Sequence, residues 1–140
     1  MNLITSIESF NFKLGRYFSS IYEISYEKNI VTYVANSSPY DKILKYEKEI
    51  SPESIEIFLS ILNKLRLINW KNKYLNYNVL DGVEWHLDIN FNNSIRKRID
   101  GINDYPGNMS NINDRTEVFN EFLLALTVLI QESDFFQLNS

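Results

Sequence analysis

The sequence predicts an α+β fold: an antiparallel sheet of about five to six strands with two helices packed on one face. Most of residues 7–50 and residues 83–100 indicate strands, because apolar and polar side chains alternate there with a period of two. Residues 51–65 and 113–131 instead place apolar side chains at helical spacing. The chain shows no internal repeat or Gly/Ser linker, so we expect a single domain over residues 1–140.

The first three strands are predicted over Ile7–Leu14 and in a hairpin over residues 17–36. We expect a three-residue hairpin loop, residues 27–29, that ends in an asparagine suited to a left-handed backbone. This loop pairs Tyr26 with Ile30 and keeps both apolar stripes on the same side of the sheet.

An edge strand and the first helix follow. Tyr40–Ile50 alternates but is rich in lysine and glutamate, a composition typical of the edge of a sheet. Ser51, Pro52 and Glu53 form a helix start: a capping serine, a proline at the first helical position and an acid in the first turn. The apolar stripe of this helix is Ile55, Phe58, Leu59, Leu62 and Leu65. Residues 69–80 show no clear period and are predicted to be a connector.

The second hairpin begins at Val83, and its register follows from the position of its loop. A three-residue loop through Ser94 pairs Phe91 with Ile95 and keeps the apolar residues on one face, whereas a two-residue turn would mix the faces. The polar face of the hairpin then carries Glu84, His86, Asp88, Asn90, Arg96, Arg98 and Asp100.

The single histidine, His86, is the first candidate for chemistry because Glu84 and Asp88 flank it on one strand face. The predicted register places Arg98 opposite Asp88 and Asp100 opposite His86. The arginines of the facing strand neutralise the carboxylates and repel a cation. We therefore predict a solvated ladder of salt bridges and no metal site.

No other catalytic pattern stands out. The four glycines form neither a dinucleotide-binding nor a phosphate-binding loop, and no G-x-S-x-G elbow accompanies the histidine. The absence of cysteine excludes disulfides, thiolate zinc sites and cysteine nucleophiles. We predict no catalytic residue and no cofactor, and we keep a small hydrolase that uses His86 with Glu84 or Asp88 as an alternative.

A dense turn segment, Asp100–Asn108, joins the second hairpin to the last helix. Gly101 is predicted to take a positive φ after the strand, and Pro106 and Gly107 match the central pair of a type II turn. We expect this segment to steer the chain from sheet to helix. An exposed recognition loop beside Trp85 is the alternative.

The last helix is predicted to run from near Asn113 and Asp114 to about Gln131. Its inward residues would be Val118, Phe122, Ala125, Leu126 and Leu129. Further apolar residues, among them Leu124 and Val128, extend the apolar surface almost all round the helix. Such a helix is either central to the core or shared with a partner, so a homodimer through it is one expectation.

Charge is distributed unevenly along a chain of net charge −4. Residues 1–100 hold 13 basic and 12 acidic side chains, whereas residues 101–140 hold one basic and six acidic ones. This balance argues against direct nucleic-acid binding, and the acidic end suits a basic partner. It is also an ordinary means of staying soluble.

The N-terminal sequence lacks a charged start followed by an apolar run, so no signal peptide is expected. The longest apolar run, Phe122–Ile130, has nine residues, less than half of a membrane span. We therefore expect a cytoplasmic protein that does not engage a membrane.

Two segments carry a resemblance to known proteins: DGVEWHLDI from Asp81 and IDGINDYPGN from Ile99. They resemble a pattern of small uncharacterised bacterial proteins, DG-x-x-W-x-L-x-I, then G-x-N-x-YP-x-N, then an amphipathic helix. The resemblance covers about the last 60 residues and implies no activity. Small α+β proteins of this kind are similar in build to immunity proteins, which neutralise a bacterial toxin by binding it.

The resemblance and the missing catalytic set favour a non-catalytic protein-binding module that covers the active site of a toxin. The alternative is a phage-encoded inhibitor of a host defence nuclease, similar to an anti-CRISPR protein, whose acidic side chains mimic phosphate. The residues predicted to contact the partner are Trp85, His86, Asp88, Arg96, Arg98, Asn103 and Tyr105. Each could instead belong to the scaffold, Trp85 above all, since it lies on the apolar stripe.

Overall fold

The structure is a computed structural model, and it describes residues 3–16, 21–36, 44–77, 82–107 and 116–131. The strands are β1 (Ile7–Arg16), β2 (Ile21–Glu27), β3 (Ile30–Asn36), β4 (Leu44–Glu49), β5 (Lys73–Leu75), β6 (Val83–Phe91) and β7 (Ile95–Ile102). The helices are α1 (Pro52–Lys64), α2 (Glu117–Ile130) and a short 3-10 helix (Leu67–Asn69). The predicted α+β class is confirmed, and the sheet has seven strands rather than five or six.

The strands lie in the order β4-β3-β2-β1-β6-β7-β5, which places β1 at the centre of the sheet. β1 pairs antiparallel with β2 on one side and with β6 on the other. Among the described strands, only β5 runs parallel to its neighbour, β7. This order puts β6, the strand that carries His86, next to the middle of the sheet, and it puts β4 at an edge, as predicted.

The first hairpin has a different register from the predicted one. Glu27 pairs with Ile30 and Tyr26 with Val31, so Lys28 and Asn29 form a two-residue turn. Both turn residues have positive φ, 51° and 67°, the conformation of a type I′ turn, whose twist matches that of the flanking strands. The three-residue loop was therefore wrong, and the residues of β3 that face inward are Val31, Tyr33 and Ala35.

The second hairpin confirms the predicted register. Phe91 pairs with Ile95 across a loop of three residues, 92–94. The side-chain amide of Asn92 also anchors the N-terminal segment, because its oxygen accepts a hydrogen bond from the Thr5 backbone N–H at 2.7 Å and its nitrogen donates to the Leu3 carbonyl at 2.9 Å.

The connector predicted over residues 69–80 begins at the end of the 3-10 helix and contains the short strand β5. The 3-10 helix ends at Asn69, and β5 then pairs with the last residues of β7. A strand of three residues is too short for alternation to be read from the sequence, which is why the prediction missed it.

Both helices begin at a capping side chain. Ser51 precedes α1, and its hydroxyl accepts a hydrogen bond from the Ser54 N–H at 3.2 Å, as predicted. Thr116 caps α2 by accepting from the Phe119 N–H at 3.1 Å. The predicted start at Asn113 lies outside the described residues.

The two helices cover the same face of the sheet. Phe58 of α1 stacks on Phe10 with ring centroids 5.3 Å apart, and Phe122 of α2 meets Phe12 edge-on at 5.2 Å. Both phenylalanines of β1 are buried, as are the alternate residues of β2, β3 and β6 that share this side. The opposite face of the sheet carries no described helix, and no described helix is long and apolar enough to cross a membrane.

Candidate functional site

The candidate site is the face of the sheet that points away from the helices, called the open face here. On the central strands it carries polar side chains, since the apolar ones point to the helices. Its members on β1, β6 and β7 are Ser9, Asn11, Lys13, Glu84, His86, Asp88, Asn90, Arg96, Arg98 and Asp100. Four of the seven predicted contact residues, His86, Asp88, Arg96 and Arg98, therefore lie together.

His86 is held between two carboxylates on this face. Its Nδ1 atom lies 2.7 Å from Asp100 Oδ1 on β7, and its Nε2 atom lies 3.8 Å from Glu84 Oε2 on the same strand. The imidazole is 43% exposed, and it lines neither the groove nor the cleft described below. Lys13 is its neighbour on β1. These contacts fix the orientation of the imidazole ring but leave it exposed to solvent, so water competes with any substrate for contact with the ring.

Asp88 and Arg96 form the strongest ion pair of the open face. The guanidinium donates from Nε to Oδ1 at 3.0 Å and from Nη2 to Oδ2 at 2.6 Å, a bidentate arrangement. This hydrogen bonding holds the pKa of Asp88 below its ordinary value, and the Arg98 charge adds to the effect; the same contact raises the pKa of Arg96.

The pairing is diagonal rather than straight across. Asp88 lies opposite Arg98 in the register, as predicted, but its carboxylate bonds Arg96 two residues away. Diagonal neighbours across two strands are within reach of a long side chain. Arg98 consequently forms no ion pair with a described residue and remains an exposed cation.

A shallow groove of about 520 Å³ runs over β1, β2 and β3 beside this cluster. Small polar side chains line it, and they are tied to one another: Asn11 donates to the Ser25 hydroxyl at 2.7 Å, and Asn90 donates to the Ser9 hydroxyl at 2.9 Å. The acidic residues along its lining are Glu27, Glu47 and Asp88. No local sequence pattern indicates this groove, because its lining comes from five strands, which only the sheet order brings together.

The described residues provide no metal centre. No three histidine, aspartate or glutamate side chains among them are arranged to hold an ion. Two carboxylates do approach His86, but they lie on either side of the ring and contact different nitrogen atoms.

Three of the predicted contact residues lie inside the protein. Trp85 is fully buried, and its indole N–H donates to the Asp104 carbonyl at 2.9 Å. Tyr105 is buried against it, with ring centroids 6.4 Å apart and planes 10° from parallel. Asn103 is also buried, and its side-chain oxygen accepts from the Val83 N–H at 2.7 Å. A partner cannot reach these side chains while this packing is intact.

Two glycines are required by the same packing. A Cβ atom on Gly101 would lie 1.9 Å from the Trp85 indole nitrogen, and one on Gly82 would lie 1.9 Å from the Asn103 side-chain oxygen. The expected positive φ at Gly101 was wrong, since its backbone is that of β7 and the close approach of Trp85 explains the glycine. Gly107 does have a positive φ, 98°, as the type II turn requires.

The helix layer exposes an apolar patch. Leu124 and Val128 of α2 are 62% and 57% exposed, and Ile57 of α1, 56% exposed, lies beside Val128 at a small depression between the helices. The rest of α2 is mostly buried, so the expectation that its apolar surface extends beyond the core is met at these two positions. A homodimer through this helix stays a prediction.

No protein-family model matches this sequence, and no curated protein matches it. The expected resemblance to small bacterial proteins therefore rests on the quoted residues alone, and the likeness to immunity proteins stays a prediction from overall build. Four of those residues, Trp85, Gly101, Asn103 and Tyr105, lie together in the interior, and Gly82 is half-buried beside Asn103.

Proposed function

We propose that this protein is a non-catalytic binding module of the immunity type, which neutralises a bacterial toxin by covering its active site with the open face. The observation that carries the proposal is the charge arrangement of that face. Fixed ion pairs, each with one exposed and one partly exposed side chain, join β6 to β7 on a wide sheet surface that no described helix covers. Such a surface suits contact with another macromolecule better than it suits enclosure of a small substrate.

The mechanism is occlusion by a surface that is already ordered. The bidentate bond between Asp88 and Arg96 and the contact between His86 and Asp100 fix these side chains before the partner arrives. Binding then loses less side-chain entropy than a surface of free lysines would. Arg98, which forms no ion pair with a described residue, supplies a charge for the partner, and charge complementarity sets orientation and association rate.

A phosphate mimic is the less favoured alternative. An inhibitor of a defence nuclease needs acidic side chains on one continuous patch, so that the surface resembles a nucleic-acid backbone. On the open face the acids alternate with cations: Glu23 lies 3.9 Å from Lys13, and Asp88 is neutralised by Arg96. This mixed pattern supports a toxin as the partner.

A hydrolase that uses His86 has less support from the geometry. A general base works best where water is excluded and where a substrate can be held beside it. The ring is instead half-exposed, and both of its nitrogen atoms face carboxylates. A cytoplasmic setting remains part of the proposal, and the absence of cysteine is compatible with it.

The test is binding and inhibition with bacterial toxins, beginning with any candidate among the products of the neighbouring genes. We expect a one-to-one complex that abolishes the toxin's activity, measured by calorimetry and by an activity assay. The variant R98E should weaken binding by about tenfold or more, because it reverses an exposed charge at the interface. The variant K71E, an equal change at an exposed position off the open face, is the control. Unimpaired binding by R98E, or inhibition that needs no complex, would refute the proposal.

A further inference from the structure

On the side away from β6, strand β7 has no partner among the described strands over five of its eight residues. β5 pairs only with residues 100–102, so residues 95–99 have no strand neighbour on that side among the described residues. The Asp100 N–H points outward, since it donates to the Asn72 carbonyl at 2.9 Å. Backbone groups of alternate residues point the same way, so the N–H and C=O groups of Arg96 and Arg98 face this open edge.

A cleft of about 620 Å³ lies beside this edge, called the edge cleft here. Its apolar lining includes Leu3 and Ile95, which are 48% and 47% exposed, and Ile68. This volume lies within the range of about 300–1,000 Å³ that is typical of binding pockets. The cleft therefore brings together backbone groups that no described strand pairs and apolar side chains that the described residues leave exposed.

The charge of the edge cleft has one sign. Arg96, Lys97 and Arg98 line it, and none of its described lining residues is acidic; because Arg96 is paired with Asp88, the charge available to a ligand is that of Lys97 and Arg98. The Lys97 ammonium is fixed by the Trp70 carbonyl at 2.6 Å, and burial lowers the pKa of Lys97. An anion bound nearby would favour the charged form of this lysine. The cleft is thus complementary to an acidic ligand that also carries an apolar group.

We propose that the edge cleft binds an extended segment of a partner protein, with acidic side chains next to an apolar one, as an added strand beside β7. Main-chain hydrogen bonds to Arg96 and Arg98 provide affinity, as in other cases of strand addition. The apolar side chain contacts Leu3 and Ile95, and the acidic side chains meet Lys97 and Arg98. About five residues of such a segment match the free edge, at about 3.3 Å per residue.

The open edge favours a peptide over a nucleic acid. Phosphate groups would use the cations but not the backbone acceptors, and the exposed apolar side chains of the cleft, Leu3 and Ile95, are aliphatic, so they give bases no ring to stack on. The edge cleft is distinct from the groove over β1–β3, but it shares Arg96 and Arg98 with the open face. R98E therefore bears on both proposals, whereas loss of binding by a main-chain-methylated peptide tests this one alone.

The experiment is selection of binders from a displayed library of random twelve-residue peptides, using the intact protein. We expect the enriched peptides to alternate acidic and apolar residues. A synthetic copy of the leading peptide should bind R98E at least about tenfold more weakly than wild type, and it should bind K45E, the same charge change on the opposite edge of the sheet, as well as wild type. Amide resonances of residues 95–99 should shift on titration.

Backbone pairing is tested separately with a peptide N-methylated at alternate residues, which keeps the side chains and removes main-chain donors. We expect it to lose most of its affinity. The proposal is overturned if no acidic–apolar sequence is enriched, if the methylated peptide binds equally well, or if R98E and K45E behave alike. Tighter binding of an oligonucleotide of equal charge would also overturn it.

Discussion

Trp85 and Gly101 face each other across β6 and β7, and the fit between them depends on the missing side chain of the glycine. The indole also packs between Tyr74 and Tyr105 and against Phe119, at centroid distances of 4.8–6.4 Å. A tryptophan in this position is valuable for packing only if its N–H finds an acceptor, which the Asp104 carbonyl provides. The apolar alternation of β6 already indicated this buried role.

The variant Gly101→Ala should destabilise the protein by about 2–3 kcal/mol, because the new methyl group overlaps the Trp85 ring. Urea denaturation measures the change. In a Trp85→Phe background the same substitution should cost less, since the smaller ring leaves room for the methyl group. Equal costs in the two backgrounds would show that the contact with Trp85 is not the reason for the glycine.

Asp88 sets part of the dependence of stability on pH at the acidic end. Hydrogen bonding from Arg96 lowers the pKa of Asp88 below 3.8 in the folded protein. The unfolded chain therefore takes up this proton first, so the stabilisation is complete above the ordinary pKa and is lost as the pH falls through the lowered one. Wild type should lose more free energy of unfolding between about pH 4.5 and pH 2 than Asp88→Asn does.

Urea denaturation at a series of pH values measures this difference. Glu56→Gln removes an exposed carboxyl group that forms no ion pair with a described residue, and it should keep the wild-type profile. If Asp88→Asn and wild type lose stability in parallel, the ion pair with Arg96 contributes nothing to folding in solution.

At the scale of elements, the two hairpins explain why one register was predictable and the other was not. In β6 and β7 the apolar residues occupy one face and the charges the other, so a shift of one residue would bury charges. In β3 both alternating sets are apolar: Ile30 and Val34 point one way, Val31 and Tyr33 the other. The apolar pattern of β3 therefore does not determine which set faces the core, and the two-residue turn fixes the register.

The sequence of the β2–β3 turn is not the most stabilising one for its backbone conformation. Lys28 holds a positive φ of 51° without the short polar side chain that tolerates this conformation. Lys28→Asn should therefore raise the free energy of unfolding by about 0.5–1 kcal/mol. Lys45→Asn, on β4, loses the same charge in an extended strand and should give no gain. A gain of similar size from both variants would point to charge rather than to backbone conformation.

At the scale of the whole molecule, the sequence places four predicted contact residues on one face and indicates that Trp85 is buried, but it does not indicate the burial of Asn103 and Tyr105. The hairpin register was sufficient to bring His86, Asp88, Arg96 and Arg98 onto one face. Asn103 and Tyr105 belong to a segment rich in turn residues, which is ordinarily exposed. That this segment folds over Trp85 depends on contacts with α2 that no local pattern contains.

The groove and the edge cleft were beyond sequence reasoning for a related reason. Each is lined by residues that are far apart in the chain, such as Leu3 and Arg98 in the cleft. Their positions follow from the strand order and from the short length of β5, which leaves part of β7 uncovered. Alternation fixes the direction of a side chain but not the neighbour of its strand.

The exposed apolar patch on the two helices leads us to predict that the protein self-associates. Ile57, Leu124 and Val128 expose apolar surface beside one another, and their burial against a second copy is favourable. Three side chains give a contact well below the 1,200–2,000 Å² of a stable interface, so the expected dimer is weak and reversible. Sedimentation velocity should show a mass that rises with concentration, and Val128→Lys should return the protein to a monomer. Ser94→Lys, in the β6–β7 loop, should leave the dimer intact; a wild-type monomer at millimolar concentration would mean that this patch has no such role.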